Sequence, residues 1–142
     1  MEIEAMYRFE TRFPEGWRCS QEEVVEMGMR SCHLEASCGS DSIEAYAGAM
    51  PPGESAEDQA LYNYAEMVGF DENDETSPVL VWKFQGRRAF GFDCLDEDGS
   101  SIRVICLEPR AGVLLVVCLY AADDDALESL FKLAENAMRV GR

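Results

Sequence analysis

Cations are scarce in this sequence. Lys and Arg number 12 against 28 Asp and Glu, and only Lys83 and Lys132 are lysines. The formal net charge is −16. A surface this negative repels phosphate backbones and anionic lipid headgroups, so neither nucleic acid nor a membrane is an expected partner. Histidine is scarcer still, His33 being the single one. That argues against a catalytic zinc built on histidines. Long apolar runs are missing too: the longest, residues 113–122, is too short to span a bilayer. The opening Met1-Glu2-Ile3-Glu4 has neither the basic nor the apolar region of an export signal. The expected compartment is the cytoplasm.

Catalytic signatures are absent as well. There is no glycine-rich phosphate loop and no Gly-x-Ser-x-Gly elbow. The six cysteines (Cys19, Cys32, Cys38, Cys94, Cys106 and Cys118) include no Cys-x-x-Cys pair. Four of them alternate with apolar residues, which suits small buried hydrophobes in a reducing compartment better than a disulfide framework. Cys32 adjoins His33, but neighbours on a strand point to opposite faces, so that pair makes no activated thiol. Cys19 or Cys38 would have to reach His33 through the fold. The acids from Asp93 to Gly99 fail as a calcium loop because Leu95 takes the third ligand position. No catalytic, cofactor or metal residue is assigned, and no cofactor is expected.

What is present suits one domain over residues 1–142. A chain this long buries roughly 68–70% of its unfolded surface and needs no staple. Residues 3–13 alternate as a half-buried strand that stops at Phe13-Pro14-Glu15-Gly16, a type I turn by composition, with Trp17 folding back as a core plug. Residues 21–27 are ambiguous and allow a short helical turn. Residues 29–38 and 42–50 alternate around Gly39-Ser40-Asp41 as a hairpin. Ser55 caps a helix carrying Leu61, Tyr64, Ala65 and Val68, closed by Gly69. A four-strand meander follows, with Asp98-Gly99 as a type I′ signal. Its last strand, residues 113–120, is apolar on both faces and so belongs mid-sheet. The final helix starts at Asp123-Asp124-Asp125 and carries Leu127, Leu130, Phe131, Ala134 and Met138, with Arg139 and Arg142 near its C-terminal end. The expected fold is α+β: a three-layer α/β/α sandwich with a mainly antiparallel sheet of about six to seven strands and two long helices.

Four segments together resemble the superfamily that includes the PsbP extrinsic subunit of photosystem II, the Mog-type Ran-release factors and the bacterial DcrB-like proteins. They are the first strand running into Pro14-Glu15-Gly16-Trp17, the Ser55-capped helix, the stretch Gly86-Arg87-Arg88-Ala89-Phe90-Gly91-Phe92, and Gly112-Val113-Leu114-Leu115 before the last helix. The resemblance implies an α/β/α sandwich and non-enzymatic work: members bind a photosystem, a small GTPase or hydrophobic segments of secreted effectors.

The expected function is a protein-interaction module, a chaperone or adaptor. Its partner would be basic or carry an apolar segment, and a homodimer is allowed. The residues expected to serve are Tyr46, Met50 and Tyr62 as aromatic and apolar anchors, the acidic loop residues Asp71, Glu72, Asp74 and Glu75, and Arg87 and Arg88. The alternatives are a small-molecule or lipid carrier with a pocket over Ala36, Ala45, Ala47 and Ala49, and a cysteine-dependent enzyme.

Overall fold

In the computed structural model, residues 7–69 and 78–141 are described. The strands are β1 (Phe9–Thr11), β2 (Arg18–Glu26), β3 (Met29–Cys38), β4 (Asp41–Ala49), β5 (Leu80–Phe84), β6 (Arg87–Leu95), β7 (Ser101–Leu107), β8 (Val113–Ala121) and β9 (Met138–Val140). The helices are α1 (Ala56–Met67) and α2 (Asp124–Ala137). Seven strands form one sheet in the order β2-β3-β4-β8-β7-β6-β5, with every pairing antiparallel. β1 and β9 form a separate two-stranded ribbon.

Turn chemistry sets the registers. Gln85 and Gly86 both have positive φ, and so do Met27 and Gly28. Each pair is a two-residue type I′ turn, whose twist matches the strands it joins. The type I′ expectation at Asp98-Gly99 is corrected: only Gly99 has positive φ, and its N–H donates to the Asp96 carbonyl. That is a type I turn followed by a left-handed glycine. The first turn is also shifted. Trp17 N–H donates to the Pro14 carbonyl and Gly16 has φ +95°, the type II pattern with glycine third. Trp17 is half-buried, stacked on Phe13 at the rim of the core.

Residues 21–27 form no helical turn. Most of them belong to β2, held along its whole length by β3 from Arg18↔Ser37 to Glu26↔Met29. The ladder satisfies backbone groups that a lone helical turn would leave open.

The helices are of ordinary length, 12 and 14 residues. Ser55 and Asp58 make a reciprocal capping box on α1. This helix buries Ala56 and Ala60 rather than the expected stripe: Leu61, Tyr64 and Ala65 are half-buried and Val68 is exposed. Gly69 closes it with φ +94°. In α2 the Asp123 side chain accepts from Ala126 N–H, and Leu127, Leu130, Phe131, Ala134 and Ala137 are buried. Met138 leaves the helix in extended geometry and opens β9. Arg139 therefore does not sit on the helix end: it pairs with Glu10 across the β1–β9 ribbon at 2.7 Å. Gln85 Nε2 donates to the freed Glu135 carbonyl of α2 and also to the Met138 carbonyl of β9.

The main core lies between the sheet and α2, around Leu34, Ile43, Phe84, Ile105, Leu115, Leu119, Leu127 and Leu130. Neighbouring residues of the same strands, Cys106 and Leu114, pack instead with Ala56 and Ala60 of α1. β7 is buried at every position. β8 does lie at the middle of the sheet, but it alternates between buried and half-buried from Leu115 onward.

Candidate functional site

The two helices do not cover the sheet equally. α1 packs against β6 and β7, while the sheet continues through β8, β4, β3 and β2. Cross-strand register shows what stands on that stretch. One row runs Glu22–His33–Tyr46–Val116, and the next runs Ser20–Glu35–Glu44–Cys118. Glu22, His33, Glu35 and Glu44 are exposed, and Tyr46, Val116 and Cys118 are half-buried.

Glu35 and Glu44 are direct cross-strand partners. Like charges placed so are destabilising, by a few tenths to about 1 kcal/mol. Neither makes an ion pair with another described residue in the way that Arg30 answers Glu23 at 3.6 Å. Tyr120 Oη donates to Glu44 Oε2 at 3.4 Å. Burial, the nearby Cys118 and the Glu44 carboxylate push the Tyr120 phenol up to about 12. Burial also raises Tyr46. Both phenols thus stay protonated at neutral pH and can donate. The His33 ring meets Tyr46 edge-on, centroids 5.3 Å apart. Gly48 makes room for Tyr46: a Cβ there would stand 2.5 Å from the phenol oxygen. Over these residues lies an open cleft of about 230 Å³ lined by His33, Glu35, Glu44, Tyr46, Val116 and Cys118. A surface of carboxylates, phenols and a patch of apolar side chains suits a cation carried on an apolar stem.

The residues expected from sequence fall in different places. Tyr46 and Met50 meet in one apolar cluster beside Ala56 and Ala60 of α1. Tyr62 is 62% exposed and belongs to none of the apolar clusters. Arg87 and Arg88 line a separate cleft of about 590 Å³ at the β5–β6 hairpin, together with Glu54 and Glu108. Arg88 lies over the Phe90 ring at 5.3 Å. Asp71, Glu72, Asp74 and Glu75 lie outside the described residues. Ala36, Ala45 and Ala47 are buried in the main core with α2, and Ala49 is exposed.

Five of the six thiols are held above the ordinary range. Burial raises Cys19, Cys32 and Cys94, pushes Cys118 up to about 11 and Cys106 up to about 12. Cys19 pairs with Ala36, on the face opposite His33. The acids of the Asp96–Gly99 turn serve their own loop: Asp96 accepts from Glu97 N–H and Asp98 from Ser100 N–H. Among the described residues no group of three His, Cys, Asp or Glu side chains could hold a metal ion. No described helix is long and apolar enough to cross a membrane.

Sequence reasoning passed over one buried charge. Arg103 is 3% exposed in the middle of β7. Its Nε and one Nη grip Asp93 at 2.7 and 3.0 Å, and the same Nη reaches Glu128 of α2 at 2.6 Å. The guanidinium lies over Trp82 and Phe131, 4.5 and 5.1 Å from their centroids. Both carboxylates share one cation, and this cage ties sheet to helix.

No family model matches the chain, and no curated protein matches it. A solved structure from Bacteroides thetaiotaomicron superimposes with a TM-score of 0.51 over 99% of this chain and 50% of that one, at 10% identity. The chain thus spans about half the length of that protein. At such identity the likeness is one of fold.

Proposed function

We propose that this chain is a non-catalytic protein-interaction module, a chaperone or adaptor, that takes a cationic protein segment on the stretch of its sheet beside α1, over β8, β4 and β3. The observation that carries this reading is the Glu35–Glu44 pair. Two carboxylates held face to face without a cation among the described residues weaken the free protein, and a Lys or Arg laid between them removes that cost. Tyr46, Tyr120 and Val116 beside them supply contact for an aliphatic stem. The net charge of −16 draws cationic partners in and repels a second copy. The raised thiols weigh against a cysteine enzyme, and the open clefts weigh against an enclosed carrier pocket.

The architecture behind this surface is read as three layers, α1 and α2 on opposite faces of the sheet. Support comes from β7, where Ile105 and Leu107 join the α2 core while Cys106 joins α1. That arrangement, and a protein-binding role, accord with the resemblance to the PsbP, DcrB-like and Mog-type superfamily. Six unpaired thiols suit a reducing compartment such as the cytoplasm.

Calorimetric titration with a Lys-rich peptide tests the reading. Saturable binding at low salt, weakened at high salt and by the double change Glu35→Gln/Glu44→Gln, is expected. A peptide that fails to bind at low salt, or binds the double variant equally well, would sink it.

A further inference from the structure

Among the described residues the sheet is open, and its two edges differ. β5 offers five residues and its hairpin end is tied to α2, where Gln85 N–H donates to Glu135. β2 offers nine residues that, among those described, pair with β3 alone. Which backbone groups of β2 have no partner among the described residues follows from the turn. Met27 and Gly28 form a two-residue hairpin loop, so the flanking Glu26 and Met29 are a mutually hydrogen-bonded pair. Parity then assigns the rest. Glu26, Val24, Glu22, Ser20 and Arg18 turn their N–H and C=O groups toward β3, and Val25, Glu23, Gln21 and Cys19 turn theirs outward.

An edge of this length is a template for another strand, and proteins blunt such edges with charge or proline. β2 carries no proline and no lysine. It carries Glu22, Glu23 and Glu26. Those acids guard it against pairing with a second copy of this chain, which brings the same charge. They do not guard it against a cationic strand. The surroundings add to that bias. An open cleft of about 350 Å³ runs along this rim, lined by Ser20, Gln21, Glu22, Val24, His33 and Glu35. Strands lie about 4.8 Å apart, so Glu22 would be next to an added strand and Glu35 about 10 Å from it, within the joint reach of a Lys and a Glu side chain. At the turn end the sheet exposes Val25, Met27 and Met29, at 60%, 101% and 59%. These offer apolar contact beyond the acids.

We infer that β2 is the docking edge for an extended, Lys- or Arg-bearing segment of a partner protein, which adds antiparallel as an eighth strand through the outward groups of Cys19, Gln21, Glu23 and Val25. Backbone bonds supply the affinity, and the carboxylates on both sides of the edge select for positive side chains. This rests on the reading that the partner segment is cationic, and adds how it is held.

The probe is a nine-residue peptide alternating Lys and Val, as long as β2. Its control is a Lys-Pro peptide of equal length and charge, which cannot form a flat strand edge. On adding the Lys-Val peptide, the amides of Cys19, Gln21, Glu23 and Val25 gain protection from hydrogen exchange in NMR spectra of the unmodified protein. The Lys-Pro peptide binds about tenfold more weakly or worse. Glu23→Pro, checked for folding by its thermal melt, loses about tenfold in affinity relative to Glu23→Gln, which removes the same charge but keeps the N–H. Binding that shifts His33, Glu35 and Tyr46 but protects none of the four amides, with Glu23→Pro and Glu23→Gln alike, overturns strand addition and leaves the interaction reading standing. The same four amides already protected in a self-associated protein, seen by light scattering, hand the edge to a second copy and overturn it too. Absence of binding by either peptide at low salt overturns both readings.

Discussion

Glu35 and Glu44 face each other across the β3–β4 ladder, one row from the His33–Tyr46 pair. Neutralising either is expected to stabilise the fold. Glu44→Gln should raise stability by about 0.5 kcal/mol, more at low ionic strength, in urea unfolding. The same change should weaken binding of a Lys-rich peptide. A variant both less stable and unimpaired in binding would show the pair to be structural.

Arg103 makes a contrasting prediction. Arg103→Met should cost about 2 kcal/mol, because it removes charge-assisted bonds to Asp93 and Glu128 and the stacking on Trp82 and Phe131. Arg103→Lys should recover little of this, since an ammonium lacks the planar fork. The cage also sets an acid limb. Its bond to Arg103 holds the Glu128 carboxyl below its ordinary range. A carboxylate depressed in the folded state adds stability that is present above its unfolded value, about 4.3, and lost as pH falls through the lower folded value. Thermal melts should therefore fall on acidification through the pH 4 region, and Arg103→Met should flatten that fall. Because Glu128 is largely exposed, the change is small.

Gly91 is required by close approach rather than by a turn. A Cβ there would overlap the Val104 carbonyl oxygen on the neighbouring strand. Gly91→Ala should cost about 2–3 kcal/mol and depress the melting temperature sharply. Gly48→Ala should cost less, because the Tyr46 side chain can swing away. Its signature should be loss of the His33–Tyr46 ring contact and weaker peptide binding. Ring-current shifts of His33 would report it.

Thiol accessibility separates a binding module from a cysteine enzyme. Cys19 and Cys38 are exposed, while Cys32 and Cys106 are buried. In the native state at neutral pH, Cys32 and Cys106 should not react with a thiol reagent, and all six should react in guanidinium. Cys19 should react faster as pH rises, because burial lifts its thiol above the ordinary value. A single thiol reacting rapidly below neutral pH would reopen the enzyme reading.

Local chemistry settled much of this protein in the sequence itself. Alternation in residues 29–38 placed Leu34 and Ala36 inward and His33 and Glu35 outward, because side chains on a strand have a period of two. Ser55 and Asp123 marked both helix starts, because orphan N–H groups there need an acceptor. The register of the β3–β4 hairpin was not legible: Gly39-Ser40-Asp41 reads as the turn, whereas Asp41 already pairs with Cys38 as the first residue of β4, and the resulting two-residue loop sets Glu35 against Glu44 and His33 against Tyr46. Tertiary structure decided the rest. Residues 21–27 read as ambiguous until β3 supplied a ladder for them, since β2 is exposed on both faces and carries little hydrophobic period. Arg103 gave no local sign of burial, because its partners lie on β6, β5 and α2. Where α1 comes to rest, over β6 and β7, is a matter of packing between distant segments, and among the described residues that choice leaves Glu22, Glu35 and Glu44 exposed.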